Sequence, residues 1–354
     1  MRYLITVPSL TPGSGLSRYV FTLCKILSEA DNSVWVLTTH NGESTDYERN
    51  ELELISKKIQ LVSIGNKSKL SRYICAIRVI RKIKPDIIVN NYNALIQYIL
   101  PLIGNKLRVI HILHGDTDDF YRIGSINATY VNGWIVPTAA ITDNFNKYTR
   151  NKYCKRVTIL SHGVAECDLT EKKSSVLEIV YAGVLYEHKG VKILPDIIKK
   201  LREKSVDLHF TIIGGGVLED WLKREFKAEI SSGIVTMTGV VSHVEVYNIM
   251  ANADLFLYPT HLDSFGLVIA EAMMNGAVPI VTLLPGITDN LIVDGENGFL
   301  LPQDDVEEFA NRILQLSVDV KLRKRMSEAA HHRAVTEFSQ AKMSSNYTQY
   351  FHFL

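Results

Sequence analysis

Short β-branched runs alternate with longer amphipathic segments along this whole chain, and that alternation predicts βαβ units folded into parallel sheets. In the first half the strand-like runs are Tyr3–Val7, Val34–Thr38, Ile59–Ser63, Ile87–Asn90, Val109–Leu113, Trp134–Val136 and Arg156–Leu160. Helical patterns at Leu16–Ser28, Lys69–Ile83 and Ile141–Arg150 lie between them. In the second half strands are expected at Glu178–Gly183, Leu208–Ile213, Ile234–Thr238, Leu255–Tyr258, Val278–Val281 and Gly298–Leu301. The matching helices are Val191–Lys204, Glu219–Ala228, Val244–Ala251, Leu267–Asn275 and Val306–Gln315. With 354 residues, two domains of middling size are expected rather than one.

The break falls in the polar run Ala165 to Ser175. It gives a first Rossmann-like domain over 1–165 and a second over 166–338. The aromatic tail 339–354, with Tyr347, Tyr350, Phe351 and Phe353, reads as a helix returning to the first domain. The net charge of +1 conceals an asymmetry. Residues 1–165 carry 21 Lys and Arg against 12 Asp and Glu, whereas 166–354 carry 18 against 26. Opposite signs suit different partners. The basic half could meet nucleic acid, an anionic membrane surface or a phosphorylated substrate. Nucleic acid is disfavoured, because the stacking aromatics are missing and the acidic half would repel a polyanion.

The four cysteines (Cys24, Cys75, Cys154, Cys167) have no paired spacing, which points to a reduced, cytoplasmic setting. The start of the chain lacks a signal-peptide core. The most apolar stretch, Ala94 to Ile103, is about half the length of a membrane span and contains Gln97 and Pro101.

Four segments carry chemistry. Pro12-Gly13-Ser14-Gly15 joins the first strand to its helix, where backbone amides and the helix dipole can receive a phosphate. A plain strand–helix turn reads equally well, and Arg18 then marks either an anion or an exposed face. Tyr181-Ala182-Gly183-Val184-Leu185 ends a strand and leads to Lys189-Gly190, where the lysine is a diphosphate ligand or a solvated helix-start residue. Gly214-Gly215-Gly216 implies close approach of backbone or ligand after a buried strand. Most specific is Asp263-Ser264-Phe265-Gly266, which opens the helix carrying Glu271. The amides of Gly266, Leu267 and Val268 are expected to point at a diphosphate, with a carboxylate on either side for sugar hydroxyls. Asp263 could instead cap the helix. Glu271, among Ile269, Ala270, Ala272 and Met273, is costly to bury without a partner.

These segments, in this order, resemble the retaining glycosyltransferases of family 4 (glycosyl transferases group 1), which have the α/β GT-B fold of two Rossmann-like domains facing across a cleft. The resemblance spans nearly the whole chain and includes Ser161-His162-Gly163-Val164, Gly276-Ala277-Val278-Pro279, Pro285-Gly286 and Asp294-Gly295-Glu296-Asn297-Gly298. It implies that the family's pair of glutamates, eight apart, falls on Asp263, facing the donor sugar, and Glu271, facing the ribose. Lys189 would neutralise the diphosphate, Gly15 would bring a loop of the first domain to it, and His114 would lie near the reacting sugar; a satisfied histidine at a strand end is the alternative for His114. The cofactor-type contacts implied are Gly15, Arg18, Gly183, Lys189, Gly214, Ser264, Phe265, Gly266, Leu267, Val268 and Glu271.

Two departures stand out. Asp263 is one methylene shorter than the family's Glu, and Val184 replaces an Arg, which leaves Lys189 and Arg18 to meet the phosphates. No cofactor and no metal are expected; Asp116-Thr117-Asp118-Asp119 only resembles a metal-binding acidic motif. The expected activity is metal-independent transfer with retention, from a nucleotide-sugar (UDP by preference) to a saccharide or lipid-linked saccharide in surface polysaccharide or glycolipid synthesis. A nucleotide-sugar epimerase or hydrolase of the same architecture is the alternative. The basic runs Lys67, Lys69, Arg72, Arg78, Arg81, Lys82, Lys84 and Lys147, Arg150, Lys152, Lys155, Arg156 suit the inner face of an anionic plasma membrane, or are ordinary solvated surfaces.

Overall fold

A computed structural model describes every residue except 12, 41–51, 53–54, 105–106 and 170–175. Pro12 of the first glycine loop, and the end of the polar run through Ser175, therefore lie outside the described residues. The chain forms two compact units, Met1–Gly163 with Gln340–Leu354, and Val164–Ser339.

The first unit holds seven parallel strands: β1 (Arg2–Val7), β2 (Ser33–Thr38), β3 (Ile59–Ser63), β4 (Ile87–Asn91), β5 (Arg108–Ile112), β6 (Gly133–Val136) and β7 (Val157–Ile159), in the order β3-β2-β1-β4-β5-β6-β7. The order reverses at β1, which pairs with both β2 and β4. The second unit has six: β8 (Leu177–Ala182), β9 (Leu208–Ile213), β10 (Val235–Gly239), β11 (Leu255–Tyr258), β12 (Val278–Thr282) and β13 (Phe299–Leu301), in the order β10-β9-β8-β11-β12-β13. Here the reversal is at β8, between β9 and β11. Ligands of doubly wound sheets bind outside the carboxyl ends of strands at such reversals. The central strands are buried on both faces, as a sheet covered by helices on both sides requires.

Several elements differ from the periodicity reading. Ala94–Ile103, the apolar stretch, is a helix with Pro101 in its last turn. A proline cannot donate to the carbonyl four residues back; that carbonyl, of Gln97, accepts from Asn127 Nδ2 at 2.9 Å instead. Val191–Lys204 opens as one tight turn, and the α-helix runs from Leu194 to Glu203 with Pro195 in its first turn, where a missing N–H costs nothing. Glu219–Ala228 breaks at Phe226 into two short helices.

A helix not evident in the pattern, Val320–Phe338, runs for 19 residues and packs along the helix Leu267–Met274. Its Ser327 Oγ donates to the Gly276 carbonyl at 2.6 Å, and His331 Nδ1 meets the Met274 carbonyl at 2.7 Å. The helix that carries Glu271 thus has its C-terminal carbonyls satisfied from outside. The tail helix Gln340–His352 belongs to the first unit, where Met343, Tyr347 and Phe351 are buried and Phe351 meets Tyr3 edge-on at 5.4 Å.

Candidate functional site

In the second unit the segments after β8 and β11 converge at the strand reversal. Gly190 turns with φ +65°, and a Cβ there would overlap the carbonyl oxygen of Pro259, so only glycine lets the Lys189 loop seat on the end of β11. Gly214 presses in the same way against the Gly183 carbonyl, with φ +128°, and its amide donates to Gly239 O at 2.9 Å. Close backbone packing therefore accounts for Gly214 without a phosphate; at Gly183 an added Cβ would first meet the Tyr181 hydroxyl, at 3.1 Å.

Lys189 Nζ donates to Leu262 O at 2.8 Å and to Asp263 Oδ2 at 3.0 Å. The pair is largely shielded, with side chains 14% and 16% exposed. Tyr258 donates its hydroxyl to the same Oδ2 at 2.9 Å. The other oxygen, Oδ1, accepts from the amides of Ser264, Phe265 and Gly266 at 2.8, 3.3 and 3.0 Å. Burial pushes the Asp263 carboxyl up, but Lys189, the Tyr258 hydroxyl and the Ser264 amide together hold it below its ordinary value. A carboxylate offers about four lone-pair sites, and Asp263 receives five donors. Asp263 thus takes the capping role that its sequence position also allowed, and it holds the lysine. The Gly266 amide, expected to point at a diphosphate, is likewise taken by Asp263. The amides of Leu267 and Val268 open an eight-residue helix, where the first amides have no intrahelical acceptor.

Glu271 is buried on that helix, and its Oε1 lies 2.8 Å from His243 Nε2. His243 begins the helix His243–Asn252, capped by Ser242, and its ring packs on Tyr247 at 4.5 Å. This histidine has no signal in the sequence, because it belongs to a segment 28 residues away that only helix packing brings beside Glu271. Val184 is exposed at the tip of the β8 loop, its carbonyl accepting from Tyr181 at 3.1 Å.

In the first unit Gly15 and Arg18 lie on the first turn of the helix Gly15–Glu29, Gly15 exposed and Arg18 half-buried. His114 follows β5, with Nε2 2.9 Å from Asn91 Oδ1. Tyr19 meets the His114 ring edge-on at 4.7 Å and the His162 ring at 4.6 Å, and donates to the Tyr347 hydroxyl at 3.0 Å. Burial drives His114 well below its usual range, with the nearby His162 and His111 adding to the effect. The acidic run is engaged by its own neighbours. Asp116 accepts from Tyr121 and from Asn144, and Asp119 pairs with Arg122 at 2.6 Å and accepts from Tyr92 at 2.8 Å. Among the described residues no cluster of three or more His, Cys, Asp or Glu side chains could hold a metal ion.

The family model described as "Glycosyl transferases group 1" matches residues 170–333, and that described as "Glycosyltransferase Family 4" matches residues 13–184. An uncharacterized glycosyltransferase of Methanocaldococcus jannaschii is 26% identical over 233 residues, 64% of this chain and 64% of that protein. A 2-deoxystreptamine N-acetyl-D-glucosaminyltransferase of Niallia circulans is 24% identical over 211 residues, 58% of this chain and 54% of its own length. The matched region thus spans less than two thirds of these relatives. The solved structure of HepE from Anabaena in complex with UDP has the same fold, with a TM-score of 0.83, 17% identity and 100% of each chain covered.

Proposed function

Because the chain belongs to the group 1 glycosyltransferases of family 4, we propose that it transfers a sugar from a nucleotide-sugar, by preference a UDP-sugar, to a saccharide hydroxyl, with retention and without a metal. The observation that carries this reading is the pairing of Lys189 with Asp263 on the loop that opens the Leu267–Met274 helix. As the anomeric C–O bond breaks, charge develops on the diphosphate. Fixed N–H donors and an ammonium can stabilise that charge without reorganising. An ammonium has three N–H bonds; Leu262 and Asp263 take two from Lys189, which leaves one for a phosphate oxygen. The amides of Leu267 and Val268 add to it, and Glu271 accepts from the ribose hydroxyls.

The acceptor is a saccharide or lipid-linked saccharide of surface polysaccharide or glycolipid synthesis, handled by the first unit at the inner face of an anionic membrane. Supporting this are the exposed cations Lys67, Lys69, Arg78, Arg81, Lys82 and Lys84 around the helix Lys69–Ile83, beside Leu70 and Ile74, which are 72% and 44% exposed. No helix among the described residues is long and apolar enough to cross a membrane. Binding to phosphatidylglycerol vesicles that weakens with salt is expected; binding that is absent or indifferent to salt would remove the membrane from the proposal.

Nucleotide release from UDP-, GDP- and ADP-sugars, with and without a membrane-lipid extract, tests the activity. Acceptor-dependent release of one nucleotide, lost in Glu271→Ala and Lys189→Ala, is the expected result. Release without acceptor dependence would mean an epimerase or hydrolase. Full transfer by Glu271→Ala would refute the site.

A further inference from the structure

The first unit reverses its strand order between β1 and β4, and β4 ends there on two buried asparagines, Asn90 and Asn91. Asn91 Nδ2 donates to the carbonyl of Val89 at 3.2 Å. A carbonyl can only accept, so the amide is oriented by its own strand and its oxygen must face the other way. That oxygen lies 2.9 Å from His114 Nε2. An oxygen without a hydrogen requires the ring nitrogen opposite to carry one. Among the described residues His114 Nδ1 has no hydrogen-bond partner.

We propose that Asn91 is a positioning residue that fixes His114 as its Nε2–H tautomer, leaving Nδ1 as a bare acceptor for a saccharide hydroxyl. This rests on the reading of His114 as a residue that meets the sugar, and it goes further by deciding which way the hydrogen bond runs: the hydroxyl donates and His114 supplies no proton. The ring is held in place for this by Tyr19, from the helix Gly15–Glu29, which is itself pinned by Tyr347 of the tail helix. The titratable groups facing His114 are Tyr19, His162 after β7 and His111 on β5. Neither histidine adds negative charge that would favour a second proton on the ring. The neighbouring asparagine repeats the device: Asn90 Nδ2 donates to Asn93 O at 3.2 Å and faces His111 Nδ1 at 3.2 Å, so that ring too carries its proton on Nε2.

The test is ¹⁵N-histidine labelling of the full chain, with the ring nitrogens of His114 observed at neutral pH and assigned by loss of their signals in His114→Asn. Wild-type protein should show a protonated Nε2 and an unprotonated Nδ1, and Asn91→Leu should show a mixture of tautomers. Asn91→Asp places a carboxylate against Nε2–H, which favours the doubly protonated ring. Its kcat/KM with the best nucleotide-sugar should therefore fall about tenfold more than that of wild type between pH 8.5 and pH 6.5. A protonated Nδ1 in wild-type protein overturns the proposal, and that spectrum decides even if both Asn91 variants fail to fold. An Asn91→Asp profile parallel to wild type, in an enzyme that His114→Asn inactivates, also overturns it. Full activity of His114→Asn alongside the expected tautomer would instead sink the sugar contact and leave the proton placement standing.

Discussion

Lys189 and Asp263 form a shielded ion pair, Nζ to Oδ2 at 3.0 Å, across the 74 residues that separate them in the chain. The pair ties the loop after β8 to the loop after β11, which opens the helix Leu267–Met274. Removing one member of such a pair leaves an uncompensated charge, at a cost of about 3 kcal/mol. Asp263→Asn should lower the melting temperature of the second unit by roughly 6–12 °C and weaken nucleoside-diphosphate binding, both read by calorimetry. Asp263→Glu, the residue the family resemblance expects, should not restore wild-type stability, because its longer side chain cannot reach Lys189 and the three amides from the same place. Unchanged melting in Asp263→Asn would show that the pair is not holding the loops.

The same pair gives a sign for acid. Asp263 is held below its ordinary value, so its stabilisation is present above the unfolded carboxyl value of about 3.9 and is lost as pH falls through the lower folded value. Between pH 5 and pH 8 the stability of the second unit should not depend on this group. A pH-dependent difference between wild type and Asp263→Asn within that window would contradict the assignment.

His111 in the first unit acts over a different range. Burial lowers it to about 3. A histidine neutral in the fold and protonated when unfolded withdraws stability as pH falls below about 6.5. From pH 7 to pH 5 this amounts to roughly 2 kcal/mol. His111→Leu should shrink by that amount the gap between urea-unfolding free energies at the two pH values; an unaltered gap would mean that His111 is charged in the fold.

Gly190→Ala should be more harmful than a single methyl suggests. The position has φ +65°, and the new Cβ would meet the Pro259 carbonyl, backbone that cannot yield cheaply. The Lys189 loop must lift off β11, and nucleotide affinity should fall by an order of magnitude or more, about as far as in Lys189→Ala. Titration of the variant with the preferred nucleoside diphosphate decides it, and near-normal affinity would show that the loop does not depend on that contact.

His243 holds Glu271 through a bond of 2.8 Å. Hydrogen bonds to a charged group contribute about 1.5–3 kcal/mol, so His243→Ala should weaken a ribonucleoside diphosphate roughly tenfold or more. It should weaken the 2′-deoxy analogue less, because part of the ribose contact proposed for Glu271 is already missing there. Equal losses for both nucleotides would place the histidine outside ribose recognition.

The alternation of β-branched runs with amphipathic segments was enough to determine two parallel α/β layers, because a strand covered by helices on both faces must be apolar throughout while its helices keep one polar side. Asp263 and Lys189 were legible for a related reason, each standing where a strand or loop leads to a helix, and Glu271 as a carboxylate among apolar helix residues. The roles of these residues depended on partners that local pattern cannot name. Asp263 became a counter-ion because the sheet order puts β8 beside β11, and Glu271 gained His243 because the helix His243–Asn252 packs against its own helix. The helix Val320–Phe338 was hidden because its buried positions, Met326, Ala330, Ala334 and Phe338, are few and include two alanines. Ala94–Ile103 was hidden by a proline whose cost is relieved by Asn127. The proton on His114 is decided by an amide 23 residues away. Periodicity reports which side of an element faces the core; only the packed sheet decides which polar atoms meet, and those meetings set charge, tautomer and orientation at the site.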